Sequence, residues 1–389
     1  MSLIILDPGL FMLEGHHFEL DTALLEVAAS LGVEGHIFCH HTDNPYVLAH
    51  PLITPAFGMR GMKSTDDPML RDLDRFLLQN EHLLADLRRI EPMIDFEKAT
   101  LLYATADFNA LTAIGRWVQG WTAAPRHLFV LLPGHFEVAL AGGVGMLDQL
   151  FYRYGFAQFP RSSDRVTLLT LSARQAAEFS TIGGRPVRAA PYPVGESEDP
   201  PPPPGLARVR RRVSVLGSSR NSKGFDLLPE LIRTVRAARP TVDFAVQYCP
   251  SEGALPDTAT AIAQAGAEVI EGYLERGSYR HELRAADILL LPYRGLGYRV
   301  GTSAVFAEAR WYGRPALVAT GTSMAGDVAA DPPLGRAAEP TAQALATALI
   351  GLVDDFPNAA RAAGEAGIAY RRDNGTHRFA ELLLGTPAR

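Results

Sequence analysis

The chain has 389 residues, 47% of them hydrophobic and 21% charged, with a formal net charge of −6. That length exceeds what one hydrophobic core usually supports, so two domains are expected, and the composition excludes a disordered chain. The acidic balance excludes a broad field for nucleic acid and leaves phosphate binding to local basic clusters.

The first half alternates strand-like and helix-like runs: a strand at Leu3 to Leu6, a helix around Glu19 to Leu31, and a strand at Gly35 to Cys39. An amphipathic helix from about Met69 to Arg89 follows, inside an insertion from Pro51 to Arg89 that looks rich in helix. Then come a strand at Thr100 to Ala104, a helix from Asn109, and strands at His127 to Leu132 and Arg165 to Leu171. From Pro191 the pattern dissolves into a segment with five consecutive prolines, Pro200 to Pro204, which favour extended geometry and mark a linker.

The alternation restarts with a strand at Arg212 to Leu216, a helix through Asp226 to Ala238, and a strand at Asp243 to Tyr248. A helix near Thr258 to Ala265, a strand at Glu268 to Ile270, a helix at Tyr279 to Ala285 and an apolar strand at Asp287 to Leu291 come next. A helix from about Ser303 to Tyr312, a short strand Ala316 to Ala319 and Ala-rich helices complete the chain. The expected fold is α/β, with two doubly wound Rossmann-like domains facing across a cleft. The expected boundaries are 1–195 and 208–370, joined by a linker at 196–207, with 371–389 a helix packing back on the first domain.

Two cysteines, Cys39 and Cys249, stand far apart with no partner at ligand spacing, so neither a disulfide nor a zinc site is expected. The same usage suits a reducing cytoplasm. The opening MSLIILDPGL has no basic leader and is expected to belong to the mature fold. The most apolar long stretch, 127–151, is broken by Pro133, His135, Glu137 and Asp148, so membrane contact is expected to be peripheral, with the basic run Arg208 to Arg212 favouring anionic surfaces slightly.

Two constellations could carry chemistry. In VSVLGSSRNSKGFDLLPELI a buried strand enters a polar loop with Gly217, Arg220, Lys223 and Gly224 and then a helix, which suits a diphosphate cradle or, equally, a solvated turn with two surface cations. In DILLLPYRGLGYRVGTSAVFAEARWYGRPALV an apolar strand ends at Pro292 and a Gly-containing loop runs to Gly301. Thr302 or Ser303 then caps a helix that carries Glu308. This design aims a helix start into the space beyond a strand's carboxyl end, where nucleotides bind in open α/β sheets. Glu308 either accepts hydrogen bonds from a ribose diol or lies exposed on an amphipathic helix.

These two segments resemble the C-terminal domain of GT-B glycosyltransferases, in particular the large retaining family that uses nucleotide-sugar donors (glycosyltransferase family four). LLYATADFNAL, HLFVLLPGHF and VTLLTLSARQAAEF extend the likeness more faintly through the first half. The resemblance implies that Arg220 and Lys223 stabilise the donor diphosphate, that amides of Thr302 and Ser303 meet the phosphates, and that Glu308 holds the ribose. It also implies that Gly217, Arg299 and Gly301 line the donor and that Tyr273 and Leu274 border the nucleobase. The family's first glutamate, separated from the second by seven residues in many members, is replaced by Val300.

In the first half, the loop with Gly9, Gly15, His16 and His17 resembles the family's glycine-bearing loop over the donor phosphates. A histidine there would bond a phosphate or an acceptor hydroxyl, or else cap a helix or lie exposed. His135 matches a position near the sugar, and with Arg220 and Lys223 it forms the expected catalytic set. Asp107 and Glu137 join His17 as acceptor-side candidates, each equally readable as a helix cap. His36, His40 and His41 lack ligand spacing, Asp72 and Asp74 fit a charged helix face, and Ala141 to Gly145 has no strand leading into it.

The implied activity is metal-independent transfer of a sugar, with retention, from a UDP- or GDP-sugar to an unknown glycan, lipid, protein or small-molecule acceptor. The nucleotide sugar is a substrate, so no cofactor is implied. A nucleotide-sugar epimerase or hydrolase on the same fold, and a non-catalytic nucleotide-sugar binder, remain open.

Overall fold

The computed structural model describes residues 1–11, 16–58, 73–132, 145–161, 163–194, 209–249, 257–294 and 298–385, with the backbone alone for 16, 73–75, 145–148 and 221. The linker at 196–207, Gly15, His135, Glu137, Asp72 and the glycines of 141–144 lie outside the described residues. The chain divides into two compact units, Met1–Pro193 with Gly375–Arg389 and Val194–Asn374.

The first unit holds a parallel sheet in the order β3-β2-β1-β4-β5-β6-β7. Its strands are β1 (Ser2–Asp7), β2 (Glu34–His40), β3 (Ile53–Phe57), β4 (Ala99–Tyr103), β5 (His127–Leu131), β6 (Val166–Thr170) and β7 (Arg188–Ala189). The helices between them are α1 (His16–Ser30), α2 (Pro45–Leu48), α3 (Leu73–Ile90), α4 (Phe108–Gln119), α5 (Gly145–Ala157) and α6 (Ala173–Gly183). Leu3, Ile5, Leu101, Leu102, Leu128 and Val130 are fully buried, as expected where helices cover both faces of parallel strands.

The second unit repeats the plan in the order β10-β9-β8-β11-β12-β13. Its strands are β8 (Arg211–Val215), β9 (Val242–Tyr248), β10 (Glu268–Glu271), β11 (Ile288–Leu291), β12 (Ala316–Ala319) and β13 (Gly335–Ala338). Around them lie α7 (Leu228–Ala238), α8 (Thr258–Gln264), α9 (Arg276–Ala285), α10 (Ala304–Trp311), α11 (Met324–Val328), α12 (Ala342–Asp354) and α13 (Phe356–Asp373). The last helix, α14 (Thr376–Leu384), belongs to the first unit. Phe379, Ala380 and Leu383 join Leu20, Leu24 and Ala28 of α1 in one core, and the Gly375 amide donates to the Tyr192 carbonyl at 2.8 Å.

In each sheet the strand order reverses beside the first strand, between β1 and β4 and between β8 and β11. Ligand crevices of open α/β sheets form at such reversals, beyond the carboxyl ends of the strands.

Four expectations need correction. The 51–89 segment contributes the edge strand β3 as well as α3, and the Ala-rich tail contains the edge strand β13, which closes against Ala316 because Gly335 has no side chain there. Both strands are short, and their alternation is too brief to be read locally. His16 and His17 open α1 rather than lying in a loop, and the second unit runs to Asn374, not 370.

Candidate functional site

The turn after β8 is tied to three neighbouring strand ends. Gly217, at φ +97, donates its amide to the Gln247 side chain at 2.8 Å, and Gln247 donates in turn to the Gly272 carbonyl at 3.1 Å. Gln247 is buried, so one amide side chain spans the ends of β8, β9 and β10. The Ser219 amide donates to the Cys249 carbonyl, and the Cys249 amide to the Ser219 hydroxyl. On the other side Gly224, at φ +71, packs so tightly that a Cβ there would stand 2.1 Å from the Pro292 carbonyl oxygen after β11. Only glycine meets both demands, a left-handed backbone and a close approach. The Arg294 amide donates to the Ser222 carbonyl at 2.7 Å, and its guanidinium pairs with Asp226 at 2.5 Å.

These ties set the position of Lys223. Its ammonium lies 3.0 Å from where a Cβ on Gly217 would be, and Val305 Cγ2 of the first turn of α10 lies 3.6 Å from the same point. The cationic turn and the helix start therefore flank one glycine. The ammonium also stands 5.4 Å from the centre of the Tyr293 ring. Burial, with the charge of Arg220 added to it, pushes the Lys223 pKa down to about 8. Arg220 itself is exposed.

Ser303 caps α10, accepting from the Phe306 amide at 3.3 Å, so the cap is Ser303 and not Thr302. The loop before it is held by Ser323, whose hydroxyl donates to the Gly301 carbonyl at 2.7 Å and whose amide donates to the Tyr298 carbonyl at 2.8 Å. Val300 is buried, while Thr302 and Arg299 are partly exposed. Glu308 is partly buried on α10 and accepts a 2.5 Å hydrogen bond from the Tyr279 hydroxyl of α9. Tyr273, 74% exposed in the turn after β10, has its pKa raised chiefly by a hydrogen bond with the Cys249 thiol, and Leu274 beside it is partly buried.

The structure thus brings together Gly217, Lys223 and the start of α10, and places Arg220 and Tyr273 within electrostatic reach of each other. Gln247, Tyr279, Tyr293 and Ser323 were not singled out from the sequence. For Gln247 there was a signal, a lone amide in the apolar run VDFAVQY.

In the first unit a buried carboxylate cluster fills the β1/β4 reversal. Asp7, at the end of β1, accepts from the Gly9 amide at 2.8 Å and Thr105 at 3.4 Å, and pairs with His17 Nδ1 at 2.6 Å. A Cβ on Gly9 would strike the His17 ring at 2.3 Å. Burial opposes the charges of Asp7 and His17, but their pairing prevails: the Asp7 pKa is lowered and the His17 pKa raised. Asp21 of α1 is fully buried, neither of its oxygens meets a donor, and burial with the Asp7 charge holds its pKa well above the usual value. A proton on Asp21 makes the pair a hydrogen bond instead of a repulsion. Cys39 is pushed up to about 12, mainly by burial and next by Asp7.

Asp107 caps α4 through a 2.9 Å bond from the Asn109 amide, which engages the carboxylate proposed for the acceptor. Among the described residues no cluster of His, Cys, Asp and Glu could hold a metal ion, and no helix is long and apolar enough to cross a membrane.

No family model matches the chain, and no curated protein matches it. Solved structures match along almost its whole length. Sucrose-phosphate synthase from Thermosynechococcus elongatus has a TM-score of 0.68 at 14% identity, covering 99% of this chain and 98% of that one. WaaG, a glycosyltransferase of lipopolysaccharide biosynthesis, has a TM-score of 0.64 at 14% identity and covers 99% of this chain and 100% of its own. This chain has the GT-B fold. The HepE protein of Anabaena, solved in complex with UDP, shares that fold at a TM-score of 0.67 and 13% identity, with 99% of each chain covered. The GT-B assignment accounts for the two parallel sheets.

Proposed function

We propose that this GT-B chain transfers a sugar from a nucleotide-sugar donor, UDP- or GDP-linked, to an acceptor hydroxyl. The observation that carries this reading is the meeting of Lys223 and the first turn of α10 at Gly217. An ammonium and a left-handed glycine beside the start of a helix suit a diphosphate, and the Arg220 guanidinium adds charge nearby. Such positive charge acts most strongly as the bond from sugar to diphosphate breaks, because the leaving group gains negative charge in the transition state.

In this reading Glu308 accepts the ribose hydroxyls, and Tyr273 and Leu274 border the base. The amides of Thr302 and Ser303 meet the phosphates, and Arg299 and Gly301 line the sugar side. His17 and His135 serve the acceptor side, and the anomeric configuration is retained without a metal. The UDP held by HepE supports a uridine nucleotide as the first donor to try.

Calorimetry with UDP, GDP and ADP tests the donor site, and incubation with the matching nucleotide sugars tests turnover. Lys223→Ala and Glu308→Ala are each expected to weaken nucleotide binding or turnover by about tenfold or more, the scale of a lost charge-assisted hydrogen bond. Wild-type behaviour in both variants would refute the site. Conversion of donor without any acceptor would instead indicate an epimerase or hydrolase, and binding without turnover a carrier.

A further inference from the structure

The hydrogen bond from Tyr279 to Glu308 joins two elements that approach the proposed nucleoside from different sides. Tyr279 stands in the second turn of α9, directly after the turn that carries Tyr273 and Leu274. Glu308 stands on α10, whose capped start faces Gly217 and Lys223. The Tyr279 hydroxyl donates to Glu308 Oε2 at 2.5 Å. Both partners are only partly buried, so the bond lies at the surface of the second unit.

A glutamate side chain has three rotatable bonds, and a carboxylate that must receive two vicinal hydroxyls loses that freedom on binding unless it is already held. The phenol of Tyr279 holds it through one lone pair of Oε2. A carboxylate offers about four lone-pair sites, more than one phenol takes. The Tyr279 ring brings rigidity that a longer donor such as lysine lacks.

From this geometry we infer that Tyr279 is a positioning residue for the ribose diol: it fixes the Glu308 carboxylate and thereby makes the site select ribonucleotides over nucleotides lacking the 2′ and 3′ hydroxyls. The inference rests on the proposed donor site. It adds a residue and a selectivity that the roles of Glu308 and Tyr273 alone do not contain.

The test compares UDP, GDP and ADP with their 2′,3′-dideoxy forms by calorimetry on the full chain. The wild type is expected to prefer the ribo form of whichever nucleotide it binds. Tyr279→Phe, which removes one oxygen, is expected to weaken the ribo form about tenfold and to leave the dideoxy form within about twofold, shrinking the preference by the same factor. In Glu308→Gln the preference is expected to fall as well, and adding Tyr279→Phe to it should cost little more, since the two act as one unit.

A merely structural tyrosine would weaken both forms alike. That outcome, or an unchanged preference in Tyr279→Phe, overturns the inference while the donor site stands. Should Tyr279→Phe lose its fold by circular dichroism, Tyr279→His, which keeps a ring donor, is measured instead against the same ratio. If the wild type binds none of the nucleotides, the donor-site reading falls and this inference with it.

Discussion

The guanidinium of Arg220 lies within electrostatic reach of the half-buried ammonium of Lys223, and together with burial it brings that ammonium down to a pKa of about 8. The two cations disfavour each other, and a diphosphate bound beside them, as proposed, would relieve that repulsion as well as form its own contacts.

Nucleotide affinity should therefore depend on pH near that value. Below pH 8 Lys223 is charged before the ligand binds. Above it, binding must take up a proton, so affinity falls as pH rises, by up to about tenfold per unit. Lys223→Arg keeps its charge and should push this fall well above pH 9. Titrations of UDP from pH 6.5 to 9.5 read both curves, and a flat wild-type profile would count against Lys223 as a phosphate ligand.

The two glycines of the β8 turn should separate binding from folding. An alanine methyl at Gly217 would stand 3.0 Å from the Lys223 ammonium, in a left-handed backbone, so Gly217→Ala should weaken nucleotide binding at least about tenfold with a modest loss of stability. Gly224→Ala places a methyl 2.1 Å from a backbone oxygen that cannot yield, and should cost roughly 2–4 kcal/mol of stability. Thermal unfolding beside calorimetry decides; equal stability losses in both variants would contradict the distinction.

Asp21 should be a stability liability at neutral pH. Its folded pKa is well above 3.8, so the folded state keeps a proton that the unfolded chain releases, and this group's contribution falls as pH rises above 3.8 toward the folded value. Asp7 works in the opposite sense, stabilising above the ordinary carboxyl range and losing that effect as pH falls through its lowered pKa. Asp21→Asn keeps a donor for Asp7 and removes the titration, so its melting temperature should rise by a few degrees at pH 7–8 and lose part of its pH dependence. A large fall at pH 7 would refute a shared proton.

Gln247→Leu should loosen the β8 and β10 turns together. It strands the Gly217 amide and the Gly272 carbonyl at the same time, for about 1–3 kcal/mol of stability. Hydrogen exchange should quicken at Gly217 and Gly272 in concert; exchange at only one would show that the two turns are held separately.

Much of this protein is local, and local features were legible in the sequence. The strand and helix alternation follows from apolar periodicity and punctuating Gly and Pro, which act over a few residues. So do the helix start at Thr302 or Ser303 and the placing of Gly217 and Lys223 in one turn. Glu308 could be placed on that helix, with the choice between a ribose ligand and an exposed residue left open. The edge strands β3, interrupted by Pro55, and β13, opened by Gly335, could not be located.

What only the tertiary structure decided is which of these local pieces meet. Lys223 and Val305 lie far apart in the chain and reach one glycine because β8 and β11 are neighbours across the strand reversal. Gln247 spans three strand ends and Tyr279 reaches Glu308 across two helices for the same reason. Parallel strands are joined by crossovers that carry no record of their neighbours. Contact between distant segments is set by the packing of the whole sheet, and the burial that lowers the Lys223 pKa and raises that of Asp21 exists only once that packing has formed.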